Sequence, residues 1–158
     1  MGCGLIERTS KMVSSMSTSS GTTPEVSIHG YERMAYLIDT DVMVDISRRN
    51  AGAADYIDSL LDTRIAIVTA HELIVGARDK RDAADIDGLI ASYPVVHIDR
   101  HIGARAYDLL KTYAKSHGLR TFDSLIAATA LEGGLTLVTK NRKHFWMIDR
   151  ISLQVPDY

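Results

Sequence analysis

Only one cysteine, Cys3, occurs among the 158 residues, so neither an intrachain disulfide nor a multi-cysteine zinc site can form. Long apolar runs are missing as well. The uninterrupted stretches span a few residues each, far short of the roughly 18 needed to cross a bilayer. No secretory apolar segment follows the first basic residues. These features predict a protein of the reducing cytoplasm with no membrane partner. An excess of charge is also lacking: 18 Lys and Arg face 20 Asp and Glu, a formal net charge of -2. That balance excludes a polybasic, arginine-rich nucleic-acid binder. It leaves open a nucleic-acid enzyme, in which an acidic metal site lies beside local basic patches. A glycine-rich loop after a strand is absent, which argues against a nucleotide-binding enzyme. The G-x-S-x-G pattern of a serine hydrolase is absent too.

What is present is an ordinary globular composition, 46% apolar and 24% charged, on a chain suited to one core. It is unevenly spread. Residues 1–33 hold 15 Ser, Thr or Gly but only Leu5, Ile6, Val13, Val26 and Ile28 from the group Leu, Ile, Val and Phe. So little apolar surface cannot offset the entropy of ordering, and a disordered extension over 1–33 is expected, followed by one folded domain over 34–158. Gly2 does not complete a myristoylation signal, because Ile6 stands where Ser or Thr is required.

From Met34 onward, short apolar runs alternate with amphipathic stretches. Ala35–Ile38, Ile65–Val68, Val95–Ile98 and Leu135–Val138 have the character of buried strands. Helical patterns cover about 41–48, 52–62, 69–78, 82–91, 100–117 and 121–132, with Gly118 and the pair Gly133-Gly134 as C-terminal caps. Strand, helix, strand at this spacing predicts an α/β domain with a parallel sheet flanked by helices.

Sites in open α/β sheets form beyond the carboxyl ends of the strands. The residues there are Asp39-Thr40-Asp41, Thr69-Ala70-His71-Glu72, Asp99 and Thr139-Lys140-Asn141, while Asp123 opens the last long helix. Carboxylates gathered at one sheet edge repel one another, and a hard divalent cation with oxygen ligands removes that cost. Each residue also has a structural explanation. Asp39 or Asp41 can cap the following helix, Thr69 with Glu72 matches a capping box, and Asp123 suits a helix N-terminus. Asn141 is a common turn residue, Asp99 fits an N-cap, and isolated histidines such as His71 and His144 are usually structural.

The surrounding words discriminate where single residues do not. Leu37-Ile38-Asp39-Thr40-Asp41-Val42, Thr69-Ala70-His71-Glu72-Leu73, Asp123-Ser124-Leu125-Ile126-Ala127-Ala128-Thr129-Ala130 and Leu137-Val138-Thr139-Lys140-Asn141 follow in this order. In that order they resemble the PIN-domain ribonucleases, above all the VapC toxins of toxin–antitoxin pairs. The resemblance spans about residues 34 to 156, and the string from Asp123 to Ala130 is its most specific part.

The resemblance implies a three-layer α/β/α sandwich with a mainly parallel central sheet. It implies an endoribonuclease that uses Mg²⁺ or Mn²⁺, with Asp39 and Asp123 as primary metal ligands. Glu72 would ligate through water or orient the attacking water. Asn141 falls where many relatives carry a fourth Asp, and would hold a metal-bound water or help hold the cluster together. The implied partners are an RNA substrate, a cognate antitoxin and a second copy of the chain in a homodimer. Arg48, Arg78, Arg120, Lys140 and Arg142 are candidates for tracking the phosphate backbone, although charged solvated surface explains any one of them. Two other functions compete. One is a catalytically weak PIN domain that acts through protein binding, since the fourth acid is missing. The other is a receiver-type phosphoacceptor domain with Asp99 as the acceptor, which would leave Glu72 and Asp123 without a role.

If residues 1–33 pack on nothing, their deletion should shift the melting temperature by no more than about 1–2 degrees. A larger loss in a thermal melt of the truncated chain would show that the segment docks on the domain.

Overall fold

Strand β1 (Tyr36–Ile38) is buried along its whole length, as a strand must be when helices cover both faces of a parallel sheet. A computed structural model describes residues 34–158, and the extension expected over 1–33 lies outside them. β1 is followed by α1 (Thr40–Ser47), α2 (Ala51–Asp58), β2 (Thr63–Ala66), α3 (Ile67–Val75) and α4 (Lys80–Ile90). Then come β3 (Val95–Val96), α5 (Arg100–His117), α6 (Thr121–Gly133), β4 (Thr136–Val138), a 3₁₀ turn at Arg142–His144 and β5 (Leu153–Gln154).

All strand pairings are parallel and the order is β3-β2-β1-β4-β5. Side chains alternate between the faces. Leu37 and Leu137, paired in register, enter a core with Ile102, Leu109, Ile126 and Phe145 under α5 and α6. Ile38 and its partners Ile65 and Val138 enter a second core with Val42, Met43, Leu73 and Ile86 under the helices α1 to α4. The result is the expected α/β/α sandwich.

Helix α6 explains why its sequence is so distinctive. Ile126, Ala127, Ala128, Thr129 and Ala130 are all buried, so the helix is apolar around most of its circumference instead of along one stripe. Its buried hydroxyls bond within the helix: Thr129 Oγ1 donates to the Leu125 carbonyl at 2.8 Å and Ser124 Oγ to the Thr121 carbonyl at 2.7 Å. Gly118 and Gly134 end α5 and α6 with φ of 71° and 59°, the left-handed geometry that favours glycine.

Several boundaries differ from expectation: β3 stops at Val96 and α2 at Asp58. The run Ile65-Ala66-Ile67-Val68 straddles a junction: β2 ends at Ala66 and α3 begins at Ile67. A short apolar run buried in either conformation has no period by which to choose, and no polar cap marks the change. β5, two residues long, was not foreseen. The order 3-2-1-4-5 also differs from the 2-1-3-4-5 order of receiver-type folds. Asp99 is exposed and caps α5, accepting from the amides of His101 and Ile102 at 2.8 Å each. Among the described residues no helix is long and apolar enough to cross a membrane.

Leu137 is fully buried on the interior strand β4, so Leu137→Ala should lower stability by about 2–5 kcal/mol in chemical denaturation.

Candidate active site

The strand order sets the location. Connections run outward from β1 through β2 to β3 on one side, and through β4 to β5 on the other. The carboxyl ends of β1 and β4 therefore border the crevice where such sheets bind ligands. Asp39 follows β1 directly and its amide donates to the Val138 carbonyl of β4 at 3.0 Å. The residue is only 6% exposed. Oδ1 accepts from the Thr40 amide and Oδ2 from the Thr139 hydroxyl, both at 2.7 Å. Asp39 is thus the N-cap of α1 and a buried acid at the same time.

Burial raises the Asp39 carboxyl to about 7, helped by the negative charge of Asp41 and, more weakly, of Asp123, and opposed by the two hydrogen bonds. Asp123, in the first turn of α6, is itself raised by burial against the pull of His144 and Arg120. Asp39 therefore feels, weakly, the charge of Asp123 across the crevice. Asp41 is a residue whose part was not foreseen beyond capping. Its Oδ2 accepts from the Lys140 amide at 3.0 Å, while its buried Oδ1 has no hydrogen-bond partner. The Asp-Thr-Asp spacing was the available signal, since both carboxylates reach the segment that follows β4, at Thr139 and at the Lys140 amide.

Glu72 is brought in by α3. Its Oε2 accepts from the Thr40 hydroxyl at 2.6 Å, and the hydroxyls of Thr40 and Thr69 are 3.3 Å apart. The capping-box explanation fails here. The N-cap of α3 is Ala66 and no side chain caps the helix, so Thr69 lies inside the first turn, fully buried. Thr40 thus connects the two acidic positions, with its amide on Asp39 and its hydroxyl on Glu72.

Asn141 is exposed at the head of the 3₁₀ turn and its side chain makes no capping bond. Its link to the cluster is through the backbone: the Asn141 amide donates to Thr139 Oγ1 at 3.0 Å, and Thr139 in turn donates to Asp39. Lys140 is engaged with Asp45, which also accepts from the Tyr158 hydroxyl at 3.0 Å. Arg78 pairs with Asp82 at 2.9 Å. Arg48, Arg120 and Arg142 are exposed and border clefts. His71 is exposed on α3, whereas His144 Nδ1 comes to 3.6 Å from Asp123 Oδ2. A cleft of about 500 Å³ is lined by Glu72, Arg120, Thr121, Phe122, Asp123 and His144.

The sequence pattern of the PIN domain matches residues 36–150, which include Asp39, Asp41, Glu72, Asp123 and Asn141. The chain belongs to the PIN-domain family. Similar proteins include Ribonuclease VapC10 of Mycobacterium tuberculosis, 34% identical over 119 residues, with 73% of this chain and 89% of that protein covered. Ribonuclease VapC1 of Methanocaldococcus jannaschii is 27% identical over 128 residues, covering 80% of this chain and 90% of its own. Among solved structures, VapBC-1 from nontypeable Haemophilus influenzae superimposes with a TM-score of 0.65 at 26% identity, over 77% of this chain and 98% of that one.

The donor set of this PIN domain suits a hard divalent cation. The acids brought together here offer carboxylate oxygens, Asp39 lies in the field of two further acids, and a buried carboxylate oxygen of Asp41 is unpartnered. Among the described residues no three His, Cys, Asp or Glu side chains close into a metal cage. Mg²⁺ does not need one, since it keeps several waters and takes one or two carboxylates together with substrate phosphates.

The raised Asp39 carboxyl has a measurable consequence. Its charged form is disfavoured in the folded state, so its contribution to metal-free stability is complete below pH 3.8 and is lost as pH rises to about 7. Asp39→Asn removes that titration. In EDTA the variant should melt above wild type at pH 8, and the difference should close as pH falls towards 4. Parallel melting curves across the range measure it.

Proposed function

We propose that this PIN domain is a metal-dependent endoribonuclease of the cytoplasm and the toxin of a toxin–antitoxin pair. The observation that carries it is the Asp39 carboxylate, buried where the sheet diverges and short of positive charge. The names of the similar proteins, ribonucleases and VapBC complexes, supply the substrate class and the kind of partner.

Hydrolysis of a phosphodiester needs a water that is nucleophilic at neutral pH and stabilisation of a crowded, negatively charged transition state. A bound Mg²⁺ or Mn²⁺ supplies both, by lowering the pKa of its water and by contacting the phosphoryl oxygens. Asp39 and Asp123 would hold the ion. Each Asp39 oxygen already accepts one hydrogen bond and retains a lone pair for a metal or its water. The bonds from Thr40 and Thr139 fix the carboxylate plane before the ion arrives. Glu72 uses Oε2 on Thr40, which leaves Oε1 to accept a proton from the attacking water or orient it. Asn141, at the crevice mouth, would reach a metal-bound water with its side chain while its amide steadies Thr139. Arg48, Arg120 and Arg142 would follow the RNA backbone. Lys140 and Arg78 are less suited to that, because each is held by a carboxylate.

An antitoxin and a second copy of the chain need apolar surface. Leu73 is core, but Ile74 and Val75 on the same helix are 41% and 85% exposed, enough to seed either contact.

Asp39→Ala and Asp123→Ala should each abolish RNA cleavage and leave the fold intact. EDTA should silence the wild type, with Mg²⁺ or Mn²⁺ restoring it. Full activity in either variant, or cleavage indifferent to EDTA, removes these residues and the ion from the chemistry. A folded wild type that never cleaves RNA favours the partner-binding alternative.

A further inference from the structure

Phe122 is 52% exposed, one residue before Asp123 in the first turn of α6. Single exposed apolar residues are common and need no explanation, but this one lines the cleft that holds Asp123 and Glu72. Other exposed aromatics are occupied. Lys111 lies over the Tyr107 ring, 5.5 Å from its centroid, and Trp146 meets the ring of His117 edge-on at 6.1 Å. Among the described residues Phe122 has no ring or cation against it. The cleft therefore combines two chemistries within one volume: carboxylates on one hand, and an open π face with the Arg120 guanidinium and the His144 ring on the other.

We propose that Phe122 stacks on the nucleobase adjoining the scissile phosphate and so contributes to substrate choice. This rests on the ribonuclease assignment above. Phe122 and Asp123 line the same cleft, so a phosphate that a cation holds at Asp123 would carry its own nucleoside past the Phe122 ring. An aromatic face there takes any unpaired base, because every base has a π surface, and takes purines best by area. A base still paired in a duplex does not present that face. Phe122 thus selects for an unpaired, preferably purine, nucleotide at the cut. Arg120, lining the same cleft, suits the next phosphate along. The role is substrate stacking, without a part in the bond-breaking step.

The test uses the full chain with Mg²⁺ and a randomised 20-nucleotide single-stranded RNA pool, with the cut sites sequenced. Wild type is compared with Phe122→Ala, Phe122→Leu and Phe122→Tyr, each checked by thermal melting. Leu keeps apolar bulk without a π face, and Tyr keeps the face. The expected result is a rise in KM on the order of 10-fold for Ala and Leu with kcat little changed, the cost of removing one base–aromatic stack. Purine preference beside the cut should fade in both and persist in Tyr. A ten-nucleotide RNA carrying 2-aminopurine, titrated in EDTA, should be quenched by wild type and Tyr but not by Leu. Wild-type KM and cut preference in Leu or Ala overturn the stacking role while the ribonuclease assignment stands. If wild type neither cleaves the pool nor binds the 2-aminopurine RNA, both fall together.

Discussion

The parallel pairing of β1 with β2 on one side and β4 on the other leaves the end of β1 in the gap where the connections diverge. Asp39 occupies that end, and its backbone and both carboxylate oxygens are tied to β4 or to the first turn of α1. The remaining site residues are placed relative to it. α3 presents Glu72 to Thr40, α6 presents Asp123 across the crevice, and the turn after β4 presents Thr139 and Asn141. A shift of β1 by one residue would exchange the two faces of the sheet and move Ile38 out of its core. The packing that fixes the register therefore also fixes the acid.

Concentrating acids in a crevice is destabilising without a cation, and the surrounding structure offsets part of that cost with neutral donors. Two threonines carry most of it. Thr139 is buried and passes a hydrogen bond from the Asn141 amide to Asp39, and Thr40 divides its two donors between Asp39 and Glu72. Asp45, Lys140 and Tyr158 form a second set of contacts behind the β4 turn, with the Lys140 amide on Asp41. Neutral donors hold the carboxylates in place without neutralising them, which leaves their charge available to an ion.

Much of the fold is legible in the apolar pattern of the sequence. The apolar runs at Ala35–Ile38 and Leu135–Val138 had only one use in a small α/β chain, and the glycines at 118 and 134 marked helix ends. Less legible was whatever depended on a neighbour. The run from Ile65 to Val68 suits strand and helix equally, and only pairing of Ile65 and Ala66 with Val95 and Val96 decides where β2 stops. β5 is too short to carry a period of its own. Thr69 and Glu72 fit a capping box in sequence, but the helix begins two residues earlier and the spacing serves Thr40 instead.

The sequence by itself determined the residue types and their order: acids directly after an apolar strand and at the head of a small-residue helix, in a pattern shared with PIN domains. It determined this because strand burial and helix periodicity are local properties, recorded residue by residue. Tertiary structure alone decided which of those residues share a volume. Lys140, adjacent to Asn141, is drawn to Asp45, ninety-five residues earlier, and Asp41 faces the β4 turn with one buried oxygen left over. Phe122, unremarked in the sequence, stands exposed beside Asp123. Burial and charge–charge coupling depend on distances between segments far apart in the chain, and those distances exist only once the sheet has closed.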